Sequence, residues 1–126
     1  MPVCWVTDRL GVSSIFALAP GDFFVVNVAV SMLDVPDDET ADPKIIQQRV
    51  AVGVAALKDG ARVVTLCAMG ASRSVVVAAL ILTAAEGMPF ADALERVRRA
   101  VPQAAPHPGF LQACGVVERG EVLPVP

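Results

Sequence analysis

The run Arg62-Val63-Val64-Thr65-Leu66-Cys67-Ala68-Met69-Gly70-Ala71-Ser72-Arg73-Ser74-Val75-Val76-Val77 decides how the rest of the chain is read. Residues 62–66 are largely apolar and rich in β-branched side chains, the pattern of a buried strand, and they lead directly onto Cys67. Residues 68–72 are small or flexible. An apolar stretch from Val75 to Ala85 then predicts a buried helix over residues 73–86 that stops at Gly87. A strand, a tight loop and a buried helix in succession indicate an α/β domain.

Working outward, residues 3–6 and 23–30 read as two further short apolar strands bounded by Pro, Gly and Asp. Residues 34–42 form a polar loop. Asp42-Pro43 offers an N-cap and a first-turn proline, opening a helix whose inner face is Ile46, Val50, Gly53, Val54 and Leu57 and whose end is Asp59-Gly60. Pro89 opens another helix with a stripe of Phe90, Ala93, Leu94, Val97 and Val101 opposite Asp92, Glu95, Arg96, Arg98 and Arg99. A proline-rich loop over residues 102–109 precedes a short helix over residues 110–114. With no repeat or linker, the 126 residues are expected to form one domain with one core.

Bulk properties exclude several classes. Hydrophobic residues make up 55% of the chain, yet its longest apolar run is about half the ~20 residues that a bilayer span requires. No membrane segment is therefore expected. A net charge of −3 gives no basic footprint for nucleic acid. Three cysteines without ligand spacing and a single histidine argue against a disulfide framework and against a metal site, so no cofactor is expected. The first residues carry no basic region followed by an apolar stretch, and a cytoplasmic setting is the expectation.

The loop between Cys67 and Ser74 carries the chemistry. A loop that enters a helix aims several backbone N–H groups at one point, and the helix dipole adds positive potential there. Such a nest suits a tetrahedral dianion. Gly70 lets the chain turn, while Ala68, Met69, Ala71 and Ser72 add no charge and expose their amides. Arg73 presents a planar fork able to engage two phosphate oxygens. The same field lowers the pKa of Cys67 toward a reactive thiolate. Ser74 is placed to donate a hydrogen bond to that sulfur. The Cys-x5-Arg spacing alone is a weak signal; the strand before it and the helix after it give it weight. Cys4 and Cys114 read as core thiols.

At these residues the chain resembles the dual-specificity protein phosphatases of the Cys-x5-Arg superfamily. Cys67, Gly70, Arg73 and Ser74 match the signature His-Cys-x-x-Gly-x-x-Arg-Ser. Val25-Val26-Asn27-Val28, Leu33-Asp34-Val35-Pro36, Gly87–Leu94 and Pro106–Leu111 resemble further segments of the family, so the resemblance covers nearly the whole chain. It implies a central twisted, mostly parallel sheet flanked by helices, and hydrolysis of phosphate monoesters on proteins through a cysteinyl-phosphate. It also implies no metal, and an aspartic acid that protonates the leaving alcohol and then activates water. The match of Leu33-Asp34-Val35-Pro36 nominates Asp34, with Asp37 and Asp38 as rivals.

Two departures stand out. The histidine that precedes the nucleophile in the family is Leu66 here, which makes the strand end more apolar and pushes the Cys67 pKa upward. His107 replaces an asparagine and is either a brace for the loop through a ring nitrogen or an ordinary surface histidine. The expected partner is a phosphorylated protein or peptide. The alternatives are a phosphatase acting on an inositol lipid, a nucleotide or an RNA 5′ end, and a pseudophosphatase that binds phosphate without hydrolysis. The uncharged loop favours a monophosphate of modest charge.

Overall fold

The computed structural model describes residues 3–116. Strands β1 (Val3–Trp5), β2 (Leu10–Ser14), β3 (Val28–Ser31) and β4 (Val63–Cys67) form one sheet in the order β1-β2-β4-β3. Both neighbours of β4 run parallel to it, and only the edge strand β1 is antiparallel. The helices are α1 (Pro43–Lys58), α2 (Arg73–Glu86), α3 (Phe90–Ala100) and α4 (Pro108–Ala113). This is the mostly parallel, helix-flanked sheet that the resemblance implies. Among the described residues, no helix is long and apolar enough to cross a membrane.

Alternation along β4 sorts the molecule into two unequal layers. Val63 and Cys67 join the main core with Leu10, Val12, Val30 and the apolar faces of the helices. Val64 and Leu66 point the other way, into a small cluster with Val3 that Trp5, Leu18 and Val26 partly cover. The helix α2 is the centre of the main layer: Val75, Val76, Val77, Ala78, Ala79 and Ile81 are wholly buried. From Val75 to Leu82 it is apolar on every side, as a helix covered on several sides requires.

Local signals fix the helix ends. The Asp42 carboxylate accepts a hydrogen bond from the Lys44 amide at 2.9 Å, capping α1 with Pro43 in its first turn. Gly87, in the left-handed region at φ 70°, ends α2. The predicted stripe of α3 is buried throughout, from Phe90 to Val101.

Two expectations need correction. Residues 23–30 are not one strand: Pro20–Phe24 form a 3-10 helix, and β3 begins only at Val28. The Asp22 carboxylate accepts from the Ala19 amide at 2.7 Å, closing a turn that an apolar run does not reveal. Strand β2 is not among the expected strands: a glycine and two serines interrupt the apolar pattern of Leu10-Gly11-Val12-Ser13-Ser14. It pairs with β4 in full register, Leu10 opposite Val63 and Ser14 opposite Cys67. Its glycine makes room for β1, since a Cβ on Gly11 would lie 2.6 Å from Val3 Cγ1 and 3.0 Å from Trp5.

Candidate active site

Strand β4 delivers Cys67 to the end of the sheet, where β2 and the loop after β3 also arrive. The register sets Ser14 beside Cys67, and the Ile15 amide donates to the Cys67 carbonyl at 3.0 Å. Residues 68–72 then wrap over the sulfur into the start of α2. Gly70 sits at φ 66°, and a Cβ there would meet the Ser14 amide nitrogen at 2.7 Å and the Ser13 carbonyl carbon at 3.0 Å. The turn requires both the backbone conformation and the missing side chain.

The loop is braced from both sides. Ser14 Oγ donates to the Ala68 carbonyl at 2.6 Å, and Gln103 Nε2 donates to the Gly70 carbonyl at 3.2 Å. The Ala105 amide donates to the Ala71 carbonyl at 2.7 Å. Ser72 Oγ donates to Asp37 Oδ1 at 2.7 Å and accepts from the His107 amide at 2.8 Å. His107 thus supports the loop through its backbone, while its Nδ1 accepts from the Gly109 amide at 3.0 Å and caps α4. With their carbonyls tied outward, the loop amides remain to turn inward.

Cys67 lies at the base of this nest, only 2% exposed. Its Sγ is 3.0 Å from Ser74 Oγ. Ser74 is fully buried, and its carbonyl accepts from Thr65 Oγ1 at 2.8 Å, so the hydroxyl is held against the sulfur. Burial pushes the Cys67 thiol up, but the Ser74 hydroxyl and the amides of Ser74, Gly70 and Ser72 outweigh it, and the net shift is downward. Leu66, buried in the small cluster on the opposite face, does not reverse that balance. Cys114 differs: burial with no compensating donor raises it to about 12.

Arg73, half-buried in the first turn of α2, is anchored through one nitrogen. Its Nη1 donates to the carbonyls of Met32 at 3.0 Å, Val35 at 2.6 Å and, more weakly, Leu33 at 3.4 Å. Nε and Nη2 have no protein partner among the described residues. The guanidinium is therefore fixed in place while an edge with two donors stays open.

Asp34 belongs to the segment that Arg73 holds, but its carboxylate faces α1. Arg49 grips it with both terminal nitrogens, Nη1 to Oδ1 at 2.9 Å and Nη2 to Oδ2 at 2.8 Å, and Nη1 also donates to the Ser31 carbonyl. The Arg49 hydrogen bonds, helped by a backbone amide, lower Asp34 to about 2. Asp37 is bound to the loop through Ser72, and Asp38 turns to Thr40. The structure thus gathers Cys67, Arg73, Ser74 and residues 68–72 at one place and holds Asp34 at its edge. Sequence reasoning missed Arg49, Ser14 and Gln103, which reach the site from distant positions. A cavity of about 960 Å³ lined by Trp5, Arg9, Arg62 and Arg96, among others, lies at the opposite end of the sheet and includes none of these residues.

No family model matches the chain. Dual specificity protein phosphatase 1B of Arabidopsis thaliana is 43% identical over 56 residues, which span 44% of this chain and about a third (34%) of that protein's length. Among solved structures, human DUSP28 superposes with a TM-score of 0.78 at 25% identity, covering 90% of each chain. A putative mouse dual specificity phosphatase, complexed with zinc tungstate, superposes with a TM-score of 0.81 at 22% identity, covering 90% of this chain and 84% of its own. A sequence match to one phosphatase of this kind over 44% of the chain and a fold match to others over nine-tenths of it agree with the loop's signature: the chain is similar to dual-specificity protein phosphatases and shares their fold.

Proposed function

We propose that the protein hydrolyses phosphate monoesters on proteins, phosphotyrosine above all, through a phosphorylated Cys67. One observation carries the reading: the Cys67 sulfur lies beneath amides and a hydroxyl that favour its anion, beside a guanidinium with an open two-donor edge. In the first step the thiolate attacks phosphorus and the S–P bond forms as the P–O bond to the alcohol breaks. The amides of Ala68, Met69, Gly70, Ala71, Ser72 and Arg73, with Arg73 Nε and Nη2, hold the three remaining oxygens. Asp34 gives its proton to the departing oxygen. In the second step the Asp34 carboxylate takes a proton from water, the water oxygen attacks phosphorus and the S–P bond breaks. The Ser74 hydroxyl stabilises the sulfur as its charge returns.

Asp34 needs one change before it acts. Gripped by Arg49 it is ionised, and so suited to the second step rather than the first. An incoming phosphate dianion raises its pKa by like-charge repulsion, and the carboxyl then leaves Arg49 for the leaving group. Asp37, bound to Ser72, serves as a loop brace. The same ion pair favours a second reading, a phosphate-binding pseudophosphatase whose acid stays locked. The uncharged loop disfavours inositol lipids, nucleotides and RNA 5′ ends as substrates. Tungstate, present with the mouse neighbour, is a tetrahedral oxyanion of the shape this nest would accept.

Turnover of para-nitrophenyl phosphate tests the proposal. Cys67→Ser should abolish it, Cys114→Ser should leave it, and acid-quenched enzyme should carry a phosphate on the peptide containing Cys67. Arg73→Ala should slow it about 10²–10³-fold, as loss of one oxyanion donor does elsewhere. Binding of phosphate without turnover establishes the pseudophosphatase instead.

A further inference from the structure

Six large apolar side chains among the described residues are exposed, and four of them stand around the mouth of the loop. Met69, 73% exposed, is part of the loop itself. Phe16, 84% exposed, follows Ile15, whose amide bonds Cys67, and its own amide donates to Ser14 Oγ, which in turn donates to the Ala68 carbonyl. Leu33 lies on the segment whose carbonyls receive Arg73. Single exposed apolar residues are ordinary; several around one opening mark a contact surface.

The charges at the same rim narrow the occupant. Beyond Arg73 the loop is uncharged, and Arg49 is already neutralised by Asp34. Asp37 and Asp38 add negative potential on that side. Apart from the exposed His107, a second phosphate or an acidic flank meets no free cation among the described residues here, whereas an aromatic ring emerging from the nest meets a phenyl ring and a thioether, both good ring partners.

Resting on the phosphatase reading, we propose that Phe16, Met69 and Leu33 form an apolar collar that selects aryl phosphates flanked by apolar residues and rejects acidic flanks. Phe16 is its principal specificity-determining residue, since among these exposed apolar side chains it is the most exposed and carries the only aromatic ring.

The test compares two phosphotyrosyl peptides, one flanked by Leu and Val and one by Glu. Wild type should favour the first at least about tenfold in kcat/KM, which corresponds to ~1.4 kcal/mol. Phe16→Ala should raise KM for that peptide about tenfold and erase most of the preference, with inhibition by inorganic phosphate within about twofold because the ion does not reach the collar. Leu33→Ser should move the same ratio in the same direction. Peptide affinity of the Cys67→Ser protein reads the collar without turnover, so failed catalysis overturns the enzymatic reading while a tenfold loss of affinity on adding Phe16→Ala still supports the collar. Equal affinities with and without Phe16, or a preference for Glu flanks, overturn it.

Discussion

Asp34 and Arg49 define a conflict at the scale of single residues. The general acid proposed at Asp34 must hold a proton when the ester breaks, yet the bidentate pair holds Asp34 near 2 against an ordinary 3.8. Arg49 comes from α1, Arg73 approaches through the carbonyls of residues 32–35, and Asp37 and Asp38 share the loop, so removing Arg49 leaves mainly like charges nearby. Arg49→Gln should therefore raise the acid's pKa and move the basic limb of the kcat/KM profile on phosphotyrosine to higher pH. An unmoved limb would assign the proton to another group, with Asp37 next in line. The stability sign is the reverse. A carboxylate with a depressed folded pKa contributes stability above its unfolded value and loses it as pH falls from about 4 through about 2, so the variant should be slightly less stable than wild type at pH 6, with the difference shrinking progressively as pH falls toward 2. Asp34 is well exposed, so this difference is small and shrinks with salt.

Among elements, the loop from Cys67 to Arg73 depends on its glycine more than on any side-chain contact. Gly70→Ala adds a Cβ against the Ser14 and Ser13 backbone, neither of which can rotate away, at a backbone angle that L-residues avoid. The expected result is loss of phosphate affinity and a less acidic Cys67, read by iodoacetate alkylation against pH, with the far-UV spectrum unchanged. Normal alkylation would contradict the close packing seen here. Local chemistry made this element legible in the sequence, as it did α1 from Asp42-Pro43 and α3 from its stripe. Strand β2 was illegible because its residues are held by register with β4 and by the space that Gly11 leaves, both non-local facts. The Arg49–Asp34 pair was hidden for the same reason. Its partners lie 15 positions apart, one in the loop after β3 and the other within α1, and no motif joins them.

Across the whole molecule, α2 links core and site, since its first turn carries Arg73 and Ser74 and its last turns fill the main layer. Leu82, 1% exposed, sits nine residues beyond Arg73, about 13 Å along the helix axis. Leu82→Ala should cost about 2–5 kcal/mol in urea unfolding, because it removes buried methyl groups and leaves a cavity that close-packed neighbours fill only in part. The Ser74 carbonyl is separately tied to Thr65 on β4, and Arg73 to the segment after β3, so the nest is held by the sheet and not by α2 alone. At temperatures well below its lowered melting point, the variant should therefore keep kcat and the pH of Cys67 alkylation within about twofold and a few tenths of a unit of wild type. If activity instead falls in step with stability, α2 transmits its packing directly to the sulfur, and the anchoring of the loop by β4 and the acid segment is weaker than its hydrogen bonds imply.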